Sequence, residues 1–411
     1  MIEEMGVRAR ASCAALARLS AQKKADILLA AADSIRNHHL EIIAANRADV
    51  AQAQAKGLSP AMIDRLVLDE GRIESMAAGV AAVATLRDPV GMIIDESVRP
   101  NGLKLSRVRV PLGVIGIIYE SRPNVTADAA ALCLKSGNAA ILRGGSEALA
   151  TSLAIHAAMT EAITAHGLSA DIIQIVPVSD RAVVGAMLVA HGVIDIIIPR
   201  GGKTLVERVQ SEARIPVLAH LDGICHTYID QYADPHKAAD IALNAKMRRT
   251  GICGATETLL IDRAFSNPLP ILTGLIEAGC ELRGDAEVKA LDTRIIAAND
   301  DEWDTEYLEP ICAVKFVDGV EGAIAHIAAH SSDHTDAIVT ENTSRAEHFL
   351  STIDSAIVMW NASTQFADGG EFGLGAEIGI ATGRLHARGP VALEGLTTYK
   401  WLVRGTGQIR P

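Results

Sequence analysis

Cys253 is the residue of this sequence best suited to covalent chemistry. It lies between Gly251 and Gly254 and follows Arg248 and Arg249. Glycine lets a backbone approach a ligand closely, and nearby arginines favour the thiolate, which is the nucleophilic form of cysteine. The segment therefore indicates covalent attack on an electrophilic carbon. A small buried apolar residue is the alternative that the local sequence leaves open.

Residues 199–205 form a second candidate site, in a turn rich in glycine and basic residues. The turn follows an apolar segment and precedes a helical pattern, and the N–H groups at a helix start attract phosphate. Arg200 and Lys203 add positive charge there. It is not an ATP-binding P-loop, because Ile197 stands where that motif requires glycine. An ordinary glycine-containing turn is the alternative.

Ser121, Arg122 and Asn124 lie directly after a buried strand pattern and before a helical one. An open α/β sheet keeps its ligand contacts at such positions. The Asn124 amide can donate to a developing oxyanion. It can equally cap the following helix, so both roles stay open.

His326, His330 and His334 recur every four residues. Two histidines on one helix face can bind zinc. However, residues 331–333 predict a helix end, which takes His334 off that face, and there is no His-Glu-x-x-His pattern. We therefore expect solvated or capping histidines and no metal site.

Composition indicates an acidic globular protein of two domains. The chain has 411 residues, 49% hydrophobic and 21% charged, with a net charge of −12, and this length favours two domains. The acidity and the lack of a basic stripe argue against nucleic-acid binding. No apolar run is long enough to span a bilayer, and the N-terminus does not resemble a secretion signal. The six cysteines form no CxxC pair, so we expect reduced thiols in a cytoplasmic protein.

The first part of the chain predicts helices and then a hairpin. Ser20 is a helix N-cap followed by apolar residues at helical spacing, and a second helical pattern covers residues 61–86. Residues 93–99 and 103–110 flank Asn101-Gly102, a strong hairpin signal. Such a ribbon projects from a domain with unpaired edges, so we expect it to pair with another subunit.

Strands and helices alternate from residue 113 onward. Strands are predicted at residues 113–119, 139–143, 172–176, 195–199, 225–230 and 257–261. Helices are predicted at residues 125–135, 146–166 and 235–248, and a further helix after the strand 172–176 ends at about residue 191. Such βαβ alternation predicts parallel sheets covered by helices. The domain change is placed near residue 225, and the tail from Thr397 is expected to be extended.

The motifs together resemble the aldehyde dehydrogenase superfamily, and most closely its γ-glutamyl phosphate reductase family. The resemblance covers nearly the whole chain and rests on residues 110–116, 119–126, 134–147, 249–253, 257–260, 361–370, 372–377 and 385–390. It implies an α/β fold with two doubly wound parallel-sheet domains of aldehyde dehydrogenase type and a projecting β oligomerisation element. The implied parts are an NADPH-binding domain (1–92 and 110–225), a catalytic domain (226–396) and the oligomerisation element (93–109 and 397–411).

The same resemblance implies roles for individual residues in catalysis. Cys253 matches the family nucleophile, and Asn124 matches the asparagine that holds the oxyanion together with the Cys253 N–H. Ser121, Arg122 and Arg249 are the candidates for binding the substrate. The implied reaction is the reduction of L-glutamate 5-phosphate to L-glutamate 5-semialdehyde and phosphate through a cysteine thioester, the second step of proline biosynthesis.

NADPH is the cofactor that the resemblance implies. Arg143 stands where many members have a lysine that meets the adenosine ribose, and an arginine there suits a 2′-phosphate. Gly201 and Gly202 match the helix start at the pyrophosphate, and Glu306 matches a glutamate that contacts the nicotinamide ribose. A homo-oligomer is implied as well. A transient contact with the glutamate 5-kinase that makes the labile substrate is left open.

One departure from the superfamily bears on the reaction. Hydrolytic members carry a general-base glutamate in a Glu-Leu-Gly-Gly-Lys run, whereas the comparable residues 220–226 lack it. Release of a free acid needs a base to activate water, but exchange of phosphate at a thioester does not. The departure favours an acyl-phosphate reductase. Another phosphorylating or CoA-acylating aldehyde dehydrogenase and a non-catalytic nucleotide-binding protein of the same fold are the alternatives.

Overall fold

The computed structural model describes residues 1–410. Its α-helices are α1 (Ile2–Leu16), α2 (Ala21–Asn37), α3 (His39–Ala55), α4 (Pro60–Leu66), α5 (Glu70–Thr85), α6 (Val125–Lys135), α7 (Leu149–Ala165), α8 (Ala182–Leu188), α9 (Lys203–Glu212), α10 (Pro235–Met247), α11 (Leu269–Glu277), α12 (Ala286–Lys289), α13 (Gly319–His330) and α14 (Thr343–Thr352). Its strands are β1 (Ile93–Val98), β2 (Lys104–Pro111), β3 (Val114–Tyr119), β4 (Ala139–Arg143), β5 (Ile173–Ile175), β6 (Ile196–Arg200), β7 (Cys225–Ile229), β8 (Thr256–Asp262), β9 (Glu281–Gly284), β10 (Ile296–Ala297), β11 (Ile311–Val317), β12 (Thr335–Val339), β13 (Ile357–Trp360), β14 (Ile380–Ala381), β15 (Gly389–Pro390) and β16 (Thr397–Arg404).

The chain divides into two compact units. The first contains residues 1–219, 373–379 and 391–410, and the second contains residues 220–372 and 380–390. The domain change that the sequence analysis placed near residue 225 thus comes at His220. Residue 225 is instead the first residue of β7, and residues 220–224 pack with the second unit before that strand begins.

The first unit contains a parallel sheet with the strand order β5-β4-β3-β6. Every residue of β3 and β4 is buried, as expected for a parallel sheet covered on both faces. Ile118 pairs with Arg143, and Tyr119 pairs with Arg200. The carboxyl ends of β3, β4 and β6 therefore lie side by side, and ligands of such sheets bind at these ends.

The second unit contains a seven-stranded sheet with the order β10-β9-β11-β8-β7-β12-β13. All of its strand pairs are parallel. The central strands β7, β8 and β12 are buried along their whole length. Because β12, β7 and β8 are neighbours and parallel, the segments that enter them lie at one edge of the sheet.

The predicted hairpin is confirmed, and the tail adds a third strand to it. The order is β1-β2-β16, with antiparallel pairing throughout. Gly102 turns the hairpin with a φ of 86°, and its N–H donates to the Arg99 carbonyl. The residues of β1 are exposed, and so are Tyr399 and Trp401 on β16.

Two of the predicted helices differ in the structure. The pattern over residues 61–86 forms two helices, α4 and α5, because Asp69 caps a new helix by accepting a hydrogen bond from the Arg72 N–H at 2.7 Å. The pattern over residues 146–166 begins with one 3₁₀ turn before α7. Side-chain capping competes locally with helix continuation, and periodicity alone does not show it.

The expectation of solvated or capping histidines is wrong for two of the three. Helix α13 ends at His330 as predicted, but His326 and His334 are buried. The His326 ring packs edge-on against Trp303 and His226, and burial lowers the pKa of His326 to about 2. His334 lies immediately before β12 and takes part in the site described below.

The structure agrees with two expectations about cysteines and membranes. All six cysteines carry free thiols. Among the helices of residues 1–410, none combines the length and apolar character needed to cross a bilayer.

Candidate active site

Cys253 lies in the loop that connects α10 to β8 in the second unit. Both ends of this loop are tied by a buried ion pair, Lys246 on α10 with Glu257 on β8. The side chains of the pair are almost entirely inaccessible to solvent, whereas Cys253 itself is partly exposed. The two ends of the loop are therefore anchored in the buried interior, while Cys253 between them is accessible to solvent.

The backbone of Cys253 is held by residues of another segment. The Cys225 thiol donates to the Cys253 carbonyl at 3.1 Å, and burial raises the pKa of Cys225 well above its ordinary value, so it remains a neutral donor. A Cβ placed on Gly223 would lie 2.2 Å from the Cys253 carbonyl oxygen. Only glycine fits there, so Gly223 allows the two backbones to touch.

Two imidazole rings lie near the Cys253 sulfur. One nitrogen each of His220 and His334 and the Cys253 Sγ all lie within 4.8 Å of one another. The His220 Nδ1 lies 2.8 Å from the Ile380 carbonyl oxygen. Because a carbonyl only accepts, Nδ1 carries the proton and Nε2 carries the lone pair. This tautomer gives His220 a basic nitrogen.

His334, Cys225 and Cys253 converge because each lies at the amino end of a neighbouring parallel strand. His334 immediately precedes β12, Cys225 begins β7 and Cys253 shortly precedes β8. The sequence did not predict that His220 and His334 lie beside Cys253, because ligand contacts in α/β sheets are expected at the carboxyl ends of strands. The run of residues 220–226 was the available signal, since it carries a histidine where hydrolytic relatives carry glutamate.

The Glu306 side chain binds the backbone of the segment that contacts Cys253. Its Oε1 accepts a hydrogen bond from the Gly223 N–H at 3.0 Å. The neighbouring Leu308 N–H donates to Glu257 at 3.3 Å, and burial raises the pKa of Glu257 to about 7 against the opposing effect of Lys246. Glu306 thus fixes residues 220–224 beside the Cys253 loop, and its contact with a nicotinamide ribose stays a prediction.

Arg249 lies on the Cys253 loop and its side chain is exposed. Its carbonyl accepts from the Gln365 Nε2 at 3.1 Å, and the same amide group donates to the Ala245 carbonyl at 2.9 Å. Gln365 therefore ties the loop to the end of α10. The guanidinium of Arg249 extends from a fixed backbone into solvent, where it can meet an anionic ligand.

In the first unit, Ser121 and Asn124 lie between β3 and α6. The Ser121 N–H and hydroxyl both donate to the Glu147 Oε1, at 2.6 and 2.9 Å. Asn124 makes no side-chain cap bond, so the capping alternative is wrong. Its Nδ2 instead donates to Asp128 at 3.0 Å, and burial raises the pKa of Asp128 to about 6. Arg122, between them, is partly buried.

Arg143 ends β4 and is buried. One terminal nitrogen donates to the Ser179 carbonyl at 3.2 Å. Its Nε is also buried and has no hydrogen-bond partner within residues 1–410. A buried guanidinium with unmet hydrogen-bonding capacity at the carboxyl edge of a sheet fits the phosphate of a dinucleotide.

Gly201 and Gly202 form the predicted turn between β6 and α9. Gly202 is the N-cap of α9, which begins at Lys203. The Gly202 N–H donates to the Glu120 Oε2 at 3.1 Å, so a carboxylate lies at this helix start. A negative group is stabilised there, and a cofactor phosphate at the same position would replace Glu120.

Comparisons with known proteins decide the family. The profile described as "Aldehyde dehydrogenase family" matches residues 2–270. Gamma-glutamyl phosphate reductase of Rhizorhabdus wittichii is 68% identical over 411 residues, which are 100% of this chain and 96% of that protein. The chain belongs to the aldehyde dehydrogenase family, among its gamma-glutamyl phosphate reductases.

Two further relatives agree with this assignment. Gamma-glutamyl phosphate reductase of Sphingopyxis alaskensis is 66% identical over 100% of this chain and 96% of that protein. The crystal structure of gamma-glutamyl phosphate reductase from Thermotoga maritima has a TM-score of 0.98 at 42% identity and covers 100% of both chains. The predicted family, fold class and enzyme class are therefore confirmed: the chain is an oxidoreductase of aldehyde dehydrogenase type.

Replacing Gly223 by alanine is expected to displace the Cys253 loop. The added Cβ would meet backbone atoms of Cys253, which cannot give way as a flexible side chain can. Misplacement of a reacting group by about 1 Å costs about 10²-fold in rate, so turnover should fall by that order.

The matched control is Gly274→Ala on helix α11, where an added Cβ meets nothing within 4 Å. This variant should keep its activity. Normal turnover in Gly223→Ala, with a folded protein by circular dichroism, would contradict the close-approach argument.

Proposed function

We propose that the chain catalyses the NADPH-dependent reduction of L-glutamate 5-phosphate to L-glutamate 5-semialdehyde and phosphate, with a thioester formed on Cys253. One observation carries this proposal: a partly exposed cysteine on a rigid loop lies beside two imidazoles, in a chain 68% identical to a gamma-glutamyl phosphate reductase. The missing general-base glutamate in residues 220–226 supports acyl-phosphate chemistry over hydrolysis.

The reaction begins with formation of the Cys253 thiolate. His220 takes the thiol proton on Nε2, because its Nδ1–H is already donated to the Ile380 carbonyl. That hydrogen bond persists when the ring becomes cationic, so it stabilises the imidazolium as well. The thiolate then attacks the acyl carbon of the substrate, the bond from that carbon to the phosphate oxygen breaks, and phosphate leaves.

Two N–H donors stabilise the oxyanion at each addition step in this proposal. They are the Asn124 side-chain amide and the Cys253 backbone N–H, and losing one such donor typically costs about 10²–10³ in rate. Asn124 is oriented by its hydrogen bond to Asp128. NADPH, when bound, would supply a hydride for reduction of the thioester carbon. The carbon–sulfur bond then breaks, which releases the aldehyde and returns the Cys253 thiolate.

The substrate carries a phosphate and an α-carboxylate, and arginines suit both groups. Arg122 and Arg249 are proposed to bind these anions, and Ser121 to contribute a hydroxyl. The exposed guanidinium of Arg249 on the Cys253 loop supports this role.

The cofactor-binding residues of the proposal are Arg143, Gly201, Gly202 and Glu306. The unmet Nε of Arg143 supports a phosphate contact and therefore NADPH. We accordingly assign NADPH binding to the first unit and the covalent step to the second.

The oligomerisation element, residues 93–109 and 397–411, includes strands β1 and β16 and most of β2, and it is assigned to homo-oligomerisation. The exposed strand β1 and the exposed Tyr399 and Trp401 support this assignment, because unpaired apolar edges favour pairing. A cytoplasmic location is also proposed, since six free thiols suit a reducing compartment.

The first prediction from this function concerns the reverse reaction. With glutamate 5-semialdehyde and NADP⁺, absorbance of NADPH should appear only when inorganic phosphate is present, because phosphate must release the acyl group from Cys253. Cys253→Ala should abolish turnover while it retains NADPH binding, and Cys13→Ser, which alters a partly exposed cysteine of the first unit, should not. Turnover without phosphate would mean that water takes the acyl group, and it would contradict the proposed acyl-phosphate chemistry.

The second prediction concerns the cofactor. Arg143→Lys keeps the charge but removes the planar pair of donors, so the KM for NADPH should rise about tenfold while the KM for NADH changes little. Steady-state kinetics with both cofactors measures the ratio. Arg65→Met removes an exposed arginine on α4 and should leave the ratio unchanged. Equal increases for both cofactors would remove the argument for a 2′-phosphate contact.

The third prediction concerns His220. His220→Asn should slow iodoacetamide alkylation of Cys253 by about tenfold at neutral pH, because the thiolate is the reacting form. The rates of variant and parent should converge in alkaline solution, where the thiol loses its proton without help. His348→Asn, an exposed histidine of the same unit, is the control. A deficit that persists at every pH would indicate structural damage and not a lost base.

A further inference from the structure

We propose that His220, Cys253 and His334 form a zinc site that reversibly blocks the nucleophile. Their three ligand atoms, one from each residue, all lie within 4.8 Å of one another. Around a tetrahedral zinc ion, with Zn–N distances of about 2.0 Å and a Zn–S distance of about 2.3 Å, ligand atoms lie about 3.5 Å apart. Small side-chain rotations therefore suffice to close the site.

His334 supplies an unmet ligand. Its side chain is completely buried, and its Nδ1 lies 2.9 Å from the Thr335 hydroxyl. Its Nε2 is also buried and has no hydrogen-bond partner within the described residues. A buried nitrogen without a partner destabilises the folded chain, and coordination of a metal ion is one way to regain that free energy.

His220 has the environment of a metal-binding histidine. Metal-ligating histidines commonly donate their other ring N–H to a carbonyl or carboxylate, which fixes the tautomer and the ring orientation. The His220 Nδ1 makes such a bond, at 2.8 Å to the Ile380 carbonyl. Its ring meets that of His334 edge-on, with centroids 5.0 Å apart and planes at 78°. This arrangement lets two nitrogens approach one ion without stacking.

The ligand atoms at this site determine which metal ion it favours. One thiolate and two imidazoles suit zinc, whereas magnesium and calcium prefer oxygen ligands. Three protein ligands leave the fourth position of a tetrahedron to water. His220 and Cys253 are partly exposed, so an ion from solvent can reach them.

Zinc binding releases one proton. The Cys253 thiol loses its proton to solvent as the sulfur–zinc bond forms, and neither zinc nor sulfur is oxidised or reduced. Affinity therefore increases with pH until the thiol is fully deprotonated. The bound sulfur no longer attacks an electrophile, and removal of zinc restores it.

Cobalt(II) is the probe for the experiment, because it replaces zinc and absorbs light. Cobalt chloride is titrated into the metal-free full chain without oxygen. We expect binding of one ion per chain, with a thiolate-to-cobalt charge-transfer band in the near ultraviolet and intense visible bands typical of tetrahedral coordination. Cys253→Ala should lose the charge-transfer band, and Cys13→Ser, the matched cysteine control, should keep it.

The histidine variants test the rest of the site. His220→Asn and His334→Asn should each weaken cobalt binding at least about tenfold, and His348→Asn should not. Thermal melting checks that each variant is folded, and if His334→Asn fails that check, His220→Asn carries the test alone. Zinc should displace cobalt and protect Cys253 from iodoacetamide until a chelator is added.

Three outcomes would overturn the proposal: cobalt binding without the charge-transfer band, a band that survives in Cys253→Ala, or unchanged affinity in the folded histidine variants. None of these measurements depends on turnover. If the cobalt site behaves as expected but the phosphate-dependent reaction is absent, the proposed function fails and the metal site stands.

Discussion

The buried ion pair between Lys246 and Glu257 closes the loop on which Cys253 lies. Removing one partner of such a pair leaves an unpaired buried charge and typically costs about 3–5 kcal/mol. Glu257 also accepts from the Leu308 N–H, which anchors the segment of Glu306. Glu306 in turn binds the Gly223 N–H beside Cys253. The position of Cys253 therefore depends on one salt bridge through a short series of contacts.

The two parallel sheets place functional side chains at opposite kinds of strand end. In the first unit, Ser121, Arg143 and Gly201 lie at or just after the carboxyl ends of neighbouring strands, the usual place for ligands. In the second unit, Cys253 and His334 precede the amino ends of β8 and β12. The segment before β7 lies between them, so three connections that are far apart in sequence meet at one sheet edge.

The side chains that the structure brings beside Cys253 are a thiol and two imidazoles. Cys225 is a neutral thiol donor, and the His334 Nε2 is buried without a partner in the described chain. The exposed arginines of the loop, Arg248 and Arg249, are directed to solvent. Histidine, rather than arginine, is thus the basic group that the structure brings beside Cys253. An imidazole can take and return a proton near neutral pH, which a guanidinium cannot.

The sequence by itself determined the fold class, the hairpin, most strand positions and the importance of Cys253, because these depend on local periodicity, turn residues and motifs. Helix α6 and strand β4 have the predicted bounds. Only the tertiary structure decided that His220 and His334 lie beside Cys253, that Gly223 touches its backbone, and that the Asn124 amide donates to the Asp128 side chain. These contacts join residues brought together by strand order and side-chain direction, and neither is encoded in the spacing of residues along the chain.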